Sequence, residues 1–106
     1  MTKYLYIGSY THEGAKGFVT EGAAGRRSAT AKLAESVGGK LEAFYYGFGA
    51  DDFYIIVDLP DNAAAAAIAA AAAQSGAVST RTVVLMTAEE MDAALKKTVH
   101  FRPPGG

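Results

Sequence analysis

The sequence predicts one domain of the α+β class, a β-α-β-β-α-β unit whose four-stranded antiparallel sheet carries helices on one face and pairs with a second copy through the other. Three observations predict it. Four segments alternate with a period of two, two longer segments between them are helical in period or rich in alanine, and none of the four strands offers a polar face.

A chain of 106 residues is the size of one domain, so residues 1–106 are read as a single unit. Ten Lys and Arg against eleven Asp and Glu give a formal charge of -1, which supplies no electrostatic footprint for nucleic acid or an anionic membrane. The absence of cysteine removes disulfides, thiolate metal sites and thiol nucleophiles, and suits a reducing compartment. Met1-Thr2-Lys3-Tyr4 runs straight into a strand pattern and lacks the apolar core of a signal peptide. The longest apolar tract, Ala63 to Ala73, is about half of what a bilayer needs. A cytoplasmic protein without nucleic-acid or membrane partners is expected.

Lys3 to Tyr10 sets Leu5 and Ile7 against Tyr4, Tyr6 and Tyr10, the alternation of a first strand. Thr11 to Gly17 carries two glycines and reads as a loop, after which a helical period runs from about Phe18 to Val37 and stops at Gly38-Gly39. A second strand from Lys40 to about Phe48, with Phe44, Tyr46 and Phe48 opposite Leu41, Ala43 and Tyr45, turns through Gly47-Phe48-Gly49-Ala50-Asp51-Asp52 into a third, Phe53 to Asp58. Pro60, Asp61 and Asn62 start a second helix, which Gly76 closes. Its alanines favour a thin helix lying close on the sheet. A fourth strand ends near Met86, and Thr87-Ala88-Glu89-Glu90 is a capping box for a short helix over 88–97. In the extended tail, 98–106, Thr98 to Arg102 is expected as a fifth, edge strand before Pro103-Pro104-Gly105-Gly106.

Both faces of these strands are apolar, whereas an antiparallel sheet in a monomer usually leaves one face wet. Two helices cover one face only. A homodimer, or a higher homo-oligomer, joined sheet to sheet is therefore expected, with the tyrosine-rich face as the contact and the helix-covered face as the place for chemistry.

Turning the first helix at about 100° per residue gathers Phe18, Val19, Gly22, Ala29, Leu33 and Val37 on one stripe, with Arg26 near its middle. A guanidinium turned inward needs a partner. Either Arg26 snorkels out or pairs with Asp52 or Asp58, or it lines a cavity in which Gly22 and Gly25 leave room, and its fork binds an oxyanion of a small ligand. His12, expected at the mouth of that cavity, is either a general acid or base or plain surface. Asp52 either orients Arg26 or abstracts a proton, or is a turn residue. Tyr45 either donates to a ligand or packs. Two distant histidines make a poor metal site, and no glycine segment has the setting of a phosphate loop, so no metal and no cofactor is expected.

Thr11-His12-Glu13-Gly14 after the first strand, Arg26 about three turns before Gly38-Gly39, the turn Gly49-Ala50-Asp51-Asp52 and Thr87-Ala88-Glu89-Glu90 together resemble the GYD domain family. The resemblance implies a ferredoxin-like fold assembled as a dimeric α/β barrel. The turn that names the family is Gly-x-Tyr-Asp, so Gly49 and Asp52 carry over to the site while Asp51 replaces the tyrosine. The family's wider relatives include cofactor-independent monooxygenases, lactone isomerases and haem-dependent enzymes with pockets between helices and sheet. Fold analogy of this kind does not transfer function; the expectation is a small-molecule pocket in each subunit, lined by His12, Arg26, Tyr45 and Asp52, with cofactor-free proton transfer or oxygenation of a small organic ligand as its chemistry. The alternative is a non-catalytic assembly or regulatory domain.

Overall fold

A computed structural model describes residues 1–106. In chain order it has β1 (Thr2–Tyr10), α1 (His12–Glu21), α2 (Ala23–Ser36), β2 (Lys40–Tyr46), β3 (Phe53–Leu59), α3 (Asn62–Ser75), β4 (Val78–Leu85) and α4 (Ala88–Leu95). The strands lie in the order β2-β3-β1-β4, and every neighbouring pair is antiparallel. This is the ferredoxin-like α+β arrangement, with β1 and β3 at the centre. No helix is long and apolar enough to cross a membrane.

The face that the helices cover is the aromatic one, contrary to expectation. Tyr4, Tyr6, Phe44, Phe53, Ile55 and Val57 are buried beneath Ala34 of α2 and Ala64, Ala65 and Ile68 of α3. Two hydroxyls show how tyrosines are accommodated in a core. Tyr4 donates to Asn62 Oδ1 at 2.6 Å and Tyr6 to the Ala65 carbonyl at 2.6 Å, so each ring is buried while its polar end reaches the alanine-rich helix. A bulkier α3 could not lie close enough to accept them.

The opposite face carries no helix and presents Leu5, Ile7, Ala43, Tyr45, Tyr54, Ile56, Val83 and Leu85. Leu41 was expected there with Ala43, but the pairing with β3 shifts between these two, so that Glu42 is an extra residue and Leu41 turns to the core side. Lys3 forms ion pairs on this open face with Glu42 and with Asp58, the latter at 3.0 Å. Asp58, a proposed partner for Arg26, is thereby committed elsewhere.

Three element boundaries differ from expectation. The stretch read as a loop, Thr11 to Gly17, is the N-cap and first turns of α1, because the Thr11 hydroxyl accepts from Gly14 N at 3.2 Å and starts a helix. The helix read as continuous is two, broken at Gly22, whose φ of 88° is accessible to glycine at little cost. Thr98 to Arg102 forms no strand, since it lies beyond α4 and pairs with no edge of the sheet.

Candidate functional site

Between α2 and α3 the aromatic face is incompletely covered. The side chains that these helices turn toward one another are short, Thr30 and Ala34 from α2 and Ala72 from α3, with Ile68 as the largest on the α3 side. They leave a cavity of about 80 Å³. Its floor is Tyr6, Phe44, Phe53, Ile55 and Val57 of the sheet, and Val78 and Thr80 of β4 close one side. Arg26, Leu33 and Tyr10 complete the lining.

Arg26, Tyr10 and Tyr46 lie together at the Tyr10 end, Tyr46 outside the lining itself, while Tyr6, Thr30 and Thr80 are the other polar side chains that line the cavity. Phe18, brought there by α1, stacks on Tyr10 with ring centres 4.8 Å apart, and also meets Tyr46 at 5.4 Å. Tyr46 donates to the Ala23 carbonyl at 3.0 Å, tying β2 to the first residue of α2. Burial pushes the Tyr10 phenol up to about 12 and the neighbouring Tyr46 adds to the rise, while the charge of Arg26 pulls the other way. Burial also raises Tyr46, against the opposing effects of the Tyr10 hydroxyl and Arg26. Both phenols therefore stay protonated at neutral pH and act as hydrogen-bond donors.

Arg26 lines the cavity and is also paired, with Glu21 at 3.4 Å rather than with Asp52 or Asp58. The pairing is possible because Gly25 has no side chain, and the Glu21 stem lies over the space a Cβ would take. The two side chains are 37% and 41% exposed, so the pair is worth no more than about 1 kcal/mol and can be exchanged for another anion.

Asp52 is a fastening point. Its carboxylate accepts from Tyr10 N at 2.8 Å, its own N–H donates to the Gly8 carbonyl at 2.8 Å, and its carbonyl accepts from Gly47 N at 2.9 Å. The β2–β3 turn is thus held against the end of β1, and the Tyr10 backbone is positioned with it. Asp52 also borders a shallower hollow of about 500 Å³ on the α1 side, shared with Tyr10, Phe18 and Tyr46.

The other expected site residues lie apart. His12 is exposed on the first turn of α1 and lines neither cavity, because the Thr11 cap draws it into the helix. Tyr45 stands on the open face of the sheet, 69% exposed, with the whole sheet between it and Arg26. Gly49 sits in the exposed turn with open space about it, and Gly22 is the joint between α1 and α2. No cluster of three or more His, Asp or Glu side chains is placed to hold a metal ion.

Sequence reading missed Tyr10, Tyr46 and Phe18 as site residues. The alternation put both tyrosines on one face correctly, but that face was given to the dimer. The available signal was chemical, since a row of phenols on a buried face needs acceptors, which Asn62 and the Ala65 and Ala23 carbonyls supply here.

The family model for the GYD domain matches residues 4–95. The chain belongs to the GYD domain family. That match runs from Tyr4, the first buried residue of β1, to the last residue of α4, so it takes in the cavity, the Asp52 fastening and the capping box of this GYD domain. No curated protein and no solved structure matches the chain.

Proposed function

We propose that this GYD domain binds a small organic anion, its apolar part seated between α2 and α3 and its charged end at Arg26. The observation that carries the reading is a largely apolar cavity whose one charged lining residue, Arg26, sits beside the Tyr10 hydroxyl. At about 80 Å³ the cavity is roughly half the size of one that admits benzene. A short branched or linear carboxylate fits better than a ring. Displacing Glu21 costs little, and a planar guanidinium receives a carboxylate through two parallel hydrogen bonds.

Binding is favoured over turnover. Arg26 and the Tyr10 hydroxyl would stabilise an enolate formed without a cofactor, but Tyr10 holds its proton, Tyr46 gives its own to the Ala23 carbonyl, and one oxygen of Asp52 is engaged by Tyr10 N–H. The lack of cysteine is in keeping with work in the cytoplasm. Isovalerate is the probe, followed through the tyrosine and leucine resonances by NMR. Millimolar binding is expected, at least tenfold weaker for Arg26→Ala and for the neutral amide of the same acid. Equal binding of acid and amide, or of wild type and variant, would sink the assignment of the anion to Arg26.

A second reading, self-association through the open face, has its own observation. Val83 and Tyr54 are 41% and 39% exposed beside the half-buried Leu5, Ile7 and Ile56, an apolar surface with no helix over it. Two such faces packed together would form a dimeric α/β barrel, and the two readings are compatible because the cavity lies on the other side of the sheet. Light scattering at micromolar concentration should return twice the chain mass.

A further inference from the structure

Beyond β4 the chain leaves the body. No residue of α4 is buried, and Met91, Leu95, Val99 and Phe101 are 48%, 70%, 75% and 76% exposed. The helix is nevertheless well specified. The Thr87 hydroxyl accepts from Glu90 N at 3.1 Å while the Glu90 carboxylate accepts from Thr87 N at 2.9 Å. Met91 and Leu95, four residues apart, form one stripe, and beyond them Val99 and Phe101 alternate with Thr98, His100 and Arg102. A capped helix with an apolar stripe, continued by an alternating segment, has the pattern of an element that covers something.

The size of the molecule says how much is left uncovered. Its accessible surface is 7123 Å², against about 5,600 Å² for a compact monomer of its mass. Its radius of gyration is 16.7 Å, against about 13 Å for a compact chain of this length. The surplus of about 1,500 Å² exceeds the roughly 800 Å² that each partner contributes to an ordinary stable interface. A second copy supplies the matching surface. On the open face, Tyr45 and Tyr54 are register partners, 69% and 39% exposed, standing side by side near the β2 edge.

We propose that residues 86–101 form an intersubunit arm that lies along the β2 edge of a second copy, with Phe101 against its Tyr45 and Tyr54. The proposal rests on the self-association described above and deepens it. The arm leaves from β4, the edge opposite β2. When two open faces meet about a twofold axis along the strands, β4 of one copy lies over β2 of the other, so each arm starts above its partner's β2 edge. Its reach is sufficient. Eight helical residues and five extended ones span about 30 Å, and a seven-residue strand spans about 23 Å.

The chain has no cysteine, so single substitutions make clean cross-linking probes. Mixing Phe101→Cys with Tyr45→Cys under mild oxidation should give a disulfide-linked species containing one chain of each. A chain bearing both substitutions that closes on itself at high dilution would show the arm folded back on its own sheet and overturn the proposal, as would failure of the mixture to cross-link. Leu95→Glu with Phe101→Glu should weaken the dimer at least tenfold in sedimentation equilibrium, with circular dichroism unchanged because neither side chain is buried. An unaltered dimer in that variant overturns the arm alone. An unsubstituted chain that is monomeric at every concentration overturns the sheet pairing as well.

Discussion

Phe53→Ala is expected to lower the free energy of unfolding by about 3–5 kcal/mol. Phe53 is 4% exposed and is one link in a closed circuit of five aromatic rings, with Tyr10 at 5.3 Å and Phe44 at 6.3 Å between ring centres. Its ring also occupies the space beside Gly8, its partner across β1 and β3, where any side chain would collide with it. Removing the ring therefore leaves a void that Gly8 cannot fill and that merges with the cavity beneath α2 and α3. Relaxation is limited because the neighbours are held elsewhere, Tyr10 by the Asp52 carboxylate through its backbone and Tyr46 by the Ala23 carbonyl. For a domain of this size, a loss of 3–5 kcal/mol corresponds to a fall in Tm of more than about 12 °C. Thermal denaturation followed by circular dichroism measures it. The enlarged apolar void should also take up benzene, so added benzene should recover part of the lost Tm in the variant and none in the wild type. A loss below about 1 kcal/mol would mean that the cluster closes over the gap, contrary to its fastening.

The same residues show what was legible in the sequence. Period two and the glycine and proline punctuation place all four strands and α3 within a few residues, because those signals are local. Which face of the sheet the helices cover is not local. Both faces are apolar, and the choice turned on where the Tyr4 and Tyr6 hydroxyls find acceptors on α3 and on the absence of a side chain at Gly8 beneath Phe53. Arg26 was legible as an inward-facing cation on a helical stripe, yet its partner was not, since Glu21 lies across a helix break at Gly22 that periodicity runs straight through. His12 and Tyr45 attracted attention by residue type and position in the chain. A cap and a sheet, respectively, separate them from Arg26.

Gly14→Ala is expected to cost about 3 kcal/mol, the upper end of the range for overfilling a packed site, although it adds one methyl group to a helix that alanine would otherwise favour. Gly14 is buried in the first turn of α1, and a Cβ there would overlap the backbone carbonyl of Ala77. Backbone cannot rotate aside as a flexible side chain can. That carbonyl also accepts from Thr11 N at 2.9 Å, and the Thr11 hydroxyl donates to the Gly76 carbonyl at 2.7 Å, so the start of α1 is bonded to the link between α3 and β4 at the point of collision. Moving α1 away to admit the methyl group breaks those bonds and draws Phe18 off Tyr10, at the end of the cavity that holds Arg26. Urea unfolding of the variant should show a lowered midpoint with little change in slope, and its affinity for isovalerate should fall with it. A midpoint equal to or above the wild type would mean that the helix shifts freely. Thr11-His12-Glu13-Gly14 would then have to be explained by its histidine, and not by a cap and a close approach.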